Sequence, residues 1–226
     1  MRFEPRQLVT ALAALACTAA LTACEAVRAD MPVSLPNPTV DEPVAMSKGR
    51  PTAVFAGGCF WGVDAVFKHV RGVTSATAGY AGGSAATAQY EIVSSGRTDH
   101  AESVKLTYDR SQITYGQLLK IFFSVAHDPT ERDRQGPDEG TQYRSVVFAQ
   151  TPEQKRIAEA YIAQLNQAKV FRRPVATDVA GAAAFYEAED YHQDYVAHHP
   201  ESQYVRAFDL PKIGHLQKLF PDWYKR

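Results

Sequence analysis

Apolar residues fall into short blocks along this chain, and the spacing inside the blocks alternates between strand-like and helix-like. Thr52-Ala53-Val54-Phe55-Ala56 is a continuous short run of the kind that forms a buried strand, and Gly57-Gly58 breaks it. Beyond the break Phe60, Val63, Phe67 and Val70 recur at helical spacing, so a helix is predicted to begin close to Cys59. Val104, Leu106 and Tyr108 share one face of a predicted strand. The helix after it carries Tyr115, Leu118, Leu119 and Phe122, and Arg144 to Ala149 reads as a further strand. Thr151-Pro152-Glu153 is a helix start, with Thr as N-cap and Pro at the first position, and Ile157, Tyr161 and Leu165 give that helix its apolar face. A last amphipathic helix is predicted after Asp209 and Pro211, using Ile213, Leu216 and Phe220.

The first fifty positions lack this rhythm. Arg2 and Arg6 flank the start, and Leu8 to Leu21 is apolar apart from Thr and Cys, too short for a permanent membrane helix and followed by polar chain. The stretch reads as a secretory signal. It ends Leu21-Thr22-Ala23-Cys24, which resembles the bacterial lipoprotein box and implies a lipidated Cys24; the plainer reading is an ordinary signal with Cys24 incidental. Positions 25–50, with Pro32, Pro36, Pro38 and Pro43 and no hydrophobic period, are expected to be a flexible extended tether. The division expected is therefore a signal over 1–24, a tether over 25–50 and one catalytic domain over 51–226, exported and held at the periplasmic or cell-envelope membrane only through Cys24. A length of 226 residues accommodates one full core plus such an appendage.

Charge narrows the partners. The chain has 24 Lys+Arg against 25 Asp+Glu and no basic stripe, which argues against nucleic acid. Chemistry centres on Cys59. A thiol at a strand-to-helix turn meets unpaired N–H groups and a partial positive charge, which lower its pKa, and the paired glycines are expected to leave the sulfur uncovered. On its own, Gly-Cys-Phe-Trp-Gly is equally consistent with a buried structural cysteine. His192, His198 and His199 lie close in sequence, but no Cys or carboxylate completes a zinc-like spacing, so no metal is expected.

The wider motif set decides between these readings. Gly57 to Gly62, Gly79-Tyr80-Ala81-Gly82-Gly83, Tyr90-Glu91-Ile92-Val93, Gly96 to Glu102, His127-Asp128-Pro129, Arg134 to Asp138, Gly140 to Ser145 and Glu189-Asp190-Tyr191-His192-Gln193 occur in that order. Together they resemble the A-type methionine sulfoxide reductase family throughout residues 51 to 226. One departure is Asp99, where many members have Gly. The resemblance implies an α+β fold, a ferredoxin-like two-layer sandwich around a mixed sheet, with a shallow open basin at the nucleophile, no cofactor, and a monomer. It also implies a role for His192 beside the active site, with His100 orienting the loop of Glu102.

By the same resemblance, Cys59 attacks the sulfur of methionine S-sulfoxide, free or in oxidised proteins and peptides, while Glu102 protonates its oxygen. Phe60 and Trp61 hold the S-methyl group, and Tyr90, Asp138 and Tyr143 surround the oxygen. A carboxyl donates that proton only when neutral, so desolvation must raise the pKa of Glu102; two units cost the ionised form roughly 2.7 kcal/mol. The product at Cys59 is a sulfenic acid. Many members carry recycling cysteines near the C-terminus, whereas His199 to Arg226 has none, and Cys17 and Cys24 lie in the leader. An external thiol, such as a thioredoxin-like protein, is then required. The competing readings are another cysteine enzyme, a hydrolase or thiol peroxidase, and a lipid-anchored binding protein without turnover.

Overall fold

The computed structural model describes residues 32–44 and 50–226. The signal, Cys17 and Cys24 lie outside the described residues. The elements run β1 Thr52–Gly57, α1 Phe60–Lys68, β2 Val73–Ala81, α2 Tyr90–Val93, β3 Ala101–Tyr108, α3 Tyr115–Ile121, β4 Arg134–Gln135 and β5 Asp138–Glu139. They continue with β6 Ser145–Phe148, α4 Pro152–Gln167, β7 Asp178–Ala180, β8 Phe185–Glu187, α5 Tyr195–His198 and α6 Leu210–Leu219. Six strands form one sheet in the order β7-β6-β1-β3-β2-β8, and β4 pairs separately with β5. The central β6-β1-β3-β2 block is antiparallel, and β7 adds in parallel to β6. Helices α1 and α3 return the chain between β1 and β2 and between β3 and β6, which is the ferredoxin-like arrangement within a mixed sheet.

Strand alternation divides the sheet's two faces. Ala53 and Phe55 of β1, Val104 and Leu106 of β3 and Val147 of β6 enter the main core with Phe67, Leu118, Ile157, Tyr161 and Leu216 from the helices. Val54, Ala56, Ala101, Val146 and Phe148 point the other way, into a thin layer closed by Ala180, Ala183 and Phe185. All helices of the main core therefore lie on one face, a two-layer architecture. Its helix starts follow local chemistry: Thr151 accepts from the Gln154 N–H, and Thr114 and Gln117 form a reciprocal capping box at α3. The predicted α1 stops at Lys68, and Val70 lies beyond it in an isolated bridge with Tyr224.

Residues 32–44 correct the expectation of a free tether. This stretch has no regular secondary structure, but Leu35 is buried in the main core and Tyr161 donates to the Pro36 carbonyl at 2.8 Å. Asp41 accepts from the Gly116 N–H at 2.8 Å and from the Thr114 hydroxyl, and Glu42 accepts from the Tyr115 N–H at 2.9 Å and the Tyr108 hydroxyl at 3.0 Å. Two of the donors that a helix start leaves unpaired are thus satisfied by residues more than seventy positions away. The polar Pro-rich composition hid a strap whose anchors are one leucine and two carboxylates.

Candidate active site

The nucleophile's position is set by the break between β1 and α1. Gly58 has φ +85°, and a Cβ there would stand 2.5 Å from the Gln135 side chain, so glycine is the residue that permits both the turn and the close approach. Cys59 follows as the N-cap of α1. It is 8% exposed, not uncovered as expected. Its pKa departs from expectation too: burial pushes the thiol well up, and Glu102, Asp209 and Asp138 push the same way. The Trp61 backbone N–H acts in the opposite direction, which is the helix-start effect read from the sequence. Desolvation and three carboxyls outweigh it, so the thiol is protonated at neutral pH.

Glu102 is the second residue of β3 and, by alternation, shares the core-facing side with Val104 and Leu106. That brings its carboxyl under the start of α1, where Glu102 Oε2 accepts from the Phe60 N–H at 3.0 Å. Glu102 is buried, and desolvation raises it to about 8 despite the Phe60 bond, with Asp138 adding to the rise. A carboxyl in that state is mostly neutral at pH 7 and able to donate a proton. Lysine and arginine do not figure among the causes of its shift.

Aromatic rings wall the site. The Phe60 ring lies 5.1 Å from His192 and 5.8 Å from Tyr80, centre to centre. Trp61 stacks flat on Tyr195 with centroids 3.7 Å apart, meets Tyr204 edge-on at 5.8 Å, and donates its indole N–H to His192 Nδ1 at 3.1 Å. Tyr90 packs 4.4 Å from His192, and its backbone N–H is held by Glu189 at 2.9 Å. Burial raises the Tyr90 hydroxyl to about 12, with Glu102 and Cys59 contributing; the same groups and Asp138 act on Tyr143. Asp138, at the start of β5, accepts from the Tyr204 hydroxyl and is itself raised by desolvation.

The structure therefore brings Cys59, Phe60, Trp61, Tyr90, Glu102, Asp138 and Tyr143 into one site. His192 was expected as a neighbour and is one. His100 is likewise placed beside the Glu102 strand, accepting from the Gly83 N–H at Nδ1 (3.2 Å) and donating from Nε2 to the Ser84 carbonyl (2.9 Å). Sequence reasoning missed Tyr195, Tyr204 and Asp209 as site residues. Tyr195 stands two residues after the Glu189 to Gln193 motif, Tyr204 lies in a stretch with no periodic signal, and Asp209 figured only as the residue before the last predicted helix.

These features define a class: an α+β enzyme scaffold with a buried thiol at a helix start, beside a neutral carboxylic acid in an aromatic pocket. The family model described as peptide methionine sulfoxide reductase matches residues 51–222, and the chain belongs to that family. It is 53% identical over 193 residues to peptide methionine sulfoxide reductase MsrA 2 of Synechocystis sp., covering 84% of this chain and 90% of that one. Identity is 54% over 176 residues to MsrA 2 of Mesorhizobium japonicum, at 78% and 90% coverage. Among solved structures, methionine sulfoxide reductase A of Corynebacterium diphtheriae aligns at TM-score 0.57 and 33% identity, over 78% of this chain and 89% of that one. Reduced Mxr1 of Saccharomyces cerevisiae aligns at TM-score 0.60 and 30% identity, over 73% and 92%.

Proposed function

We propose that this chain reduces methionine S-sulfoxide, free and within oxidised proteins, to methionine. The observation that supports it best is the pairing of a buried thiol at the start of α1 with a carboxyl that burial keeps protonated and that the Phe60 N–H holds in place. Sulfoxide reduction needs that pairing. Cys59 sulfur attacks the sulfoxide sulfur and gives up its thiol proton while Glu102 delivers a proton to the oxygen; the sulfoxide S–O bond then breaks, the hydroxyl passes to Cys59, and the thiol proton restores Glu102. Methionine sulfur is reduced by two electrons, and Cys59 is oxidised to a sulfenic acid.

Phe60 and Trp61 enclose the S-methyl group, with Trp61 fixed by His192 on one edge and Tyr195 on one face. Tyr90 and Tyr143 present hydroxyls that stay protonated and can donate to an oxygen gaining negative charge, and Asp138 completes the oxygen side. A cysteine hydrolase would need a free imidazole base at the sulfur. His192 Nδ1 is engaged by Trp61, and His127 is buried between the Ser145 hydroxyl and the Phe122 carbonyl.

Among the described residues Cys59 is the only cysteine, so the sulfenic acid is returned by an external thiol of the thioredoxin type. Export and lipid attachment at Cys24 belong to the same proposal and rest on the leader's sequence. The test is turnover of the two sulfoxide epimers with a dithiol reductant. The expected result is reduction of the S-epimer alone, abolished by Cys59→Ser; equal turnover of both epimers, or activity retained in Cys59→Ser, would overturn the reading.

A further inference from the structure

Asp209 is an anomaly. It is the last residue of a π-helical turn, Val205–Asp209, that runs directly into α6, so it lies inside one continuous helical stretch rather than at a helix start. Such π-helical turns recur at functional sites. Asp209 is fully buried, and neither carboxylate oxygen has a hydrogen-bond partner among the described residues. An unpaired buried carboxyl is costly, so a fold that keeps one gives reason to look for its use.

Its location supplies the use. A Cβ on Gly62 would stand 2.3 Å from Asp209 Oδ1 and 3.1 Å from Lys212 Nζ, so both groups press on the first turn of α1, one turn from Cys59. Only glycine leaves room for them there. Asp209 acts on the Cys59 sulfur strongly enough to hinder its ionisation, whereas Lys212 does not figure among the groups that act on that sulfur. Lys212 instead opposes the rise of Asp209, whose carboxyl settles at about 6 and so is mostly ionised at neutral pH. The other groups facing the sulfur are Glu102 from β3, Asp138 from β5, Tyr90, Tyr143 and Tyr204. At neutral pH Glu102 is largely protonated, and of the two aspartates facing the sulfur Asp209 acts on it the more strongly.

We propose that Asp209, set under α1 by the Val205–Asp209 turn, is a positioning residue for the oxidised enzyme: its charge keeps the Cys59 sulfenic acid neutral and so protects it from further oxidation. This rests on the sulfenic acid of the proposed function. Peroxide attack proceeds through the anion: the sulfenate sulfur takes one peroxide oxygen, the O–O bond breaks, sulfur is oxidised to sulfinate and the other oxygen leaves as water. Repair proceeds through the neutral acid: an external thiolate attacks Cys59 sulfur, an S–S bond forms, the S–O bond breaks and hydroxide leaves with a proton as water. A chain whose described part offers no second cysteine to trap the sulfenic acid holds that intermediate until an outside thiol arrives, and a negative neighbour biases the wait toward repair.

The test compares wild type, Asp209→Asn and Asp209→Glu after treatment with hydrogen peroxide alone, reading by intact mass how fast one added oxygen becomes two. Asp209→Asn is expected to form sulfinate on the order of ten times faster at pH 7.5, and Asp209→Glu to behave as wild type. A second readout is the pH profile of Cys59 alkylation by iodoacetamide, which should shift to lower pH in Asp209→Asn and not in Asp209→Glu. Equal over-oxidation rates, or unshifted alkylation in folded Asp209→Asn, would overturn the inference. No sulfoxide enters either assay, so failure here is distinct from failure of the reductase reading.

Discussion

The backbone N–H of Phe60 donates to Glu102 Oε2 at 3.0 Å, tying the first residue of the nucleophile's helix to the acid on the neighbouring strand. The bond places the proton donor relative to Cys59 without adding a cation that would ionise it. Glu102→Gln keeps an acceptor for Phe60 and removes the proton. We expect kcat for the S-epimer to fall by about a hundredfold or more with the melting temperature not lowered. Pre-steady-state reduction of S-sulfoxide, alongside a thermal melt, checks both halves.

The same residue couples stability to pH. The folded-state pKa of Glu102 is about 8, raised from an ordinary 4.5. Between those values the folded protein binds a proton that the unfolded chain has released, so stability present below pH 4.5 is lost as pH rises toward 8. Across that window each pH unit costs up to about 1.4 kcal/mol. Urea unfolding at pH 5 and pH 8 should show a larger decline in wild type than in Glu102→Gln; parallel declines would contradict the raised pKa.

The Trp61 indole bond to His192 at 3.1 Å orients the wall of the methyl pocket. Trp61→Phe keeps an aromatic face but drops the donor, and it should raise KM several-fold while changing kcat less, since the ring is proposed to bind the substrate more than to act in the reaction. An unchanged KM would separate Trp61 from substrate binding.

The strap predicts a stability effect without a catalytic one. Asp41→Ala removes an acceptor for the Thr114 hydroxyl and the Gly116 N–H, and should cost about 1 kcal/mol. Leu35→Ala, in the main core, should cost about 2–5 kcal/mol. Denaturant midpoints test both. Turnover by the folded fraction should match wild type, because the strap's bonds run to the start of α3 and to α4 and not to the residues around Cys59.

How much was legible in the sequence follows from which forces leave a local trace. The break at Gly57-Gly58, the helix after Cys59 and the Thr151 cap depend on neighbouring residues, and each stands where the pattern puts it. The seven expected site residues converge because the motif order carried them by resemblance; no spacing alone would place Tyr90 or Tyr143 near Glu102. The ionisation of Cys59 was misread because a helix start is a local signal, whereas desolvation and the carboxyls of Asp138 and Asp209 are assembled by the fold. The strap was misread for a related reason: Asp41 and Glu42 look like solvent-exposed charges until α3 supplies their donors. Asp209 was expected just before the last helix, whereas it lies within a helical stretch that begins ahead of it, and nothing in its local spacing marks it as a site residue.

The most direct measurement is a single turnover of methionine S-sulfoxide by the reduced protein without added thiol, followed by intact mass and methionine quantitation. We predict one methionine per protein and one oxygen added at Cys59, with neither formed by Cys59→Ser. Methionine formed without oxygen on Cys59, or formed equally by Cys59→Ser, would contradict the account.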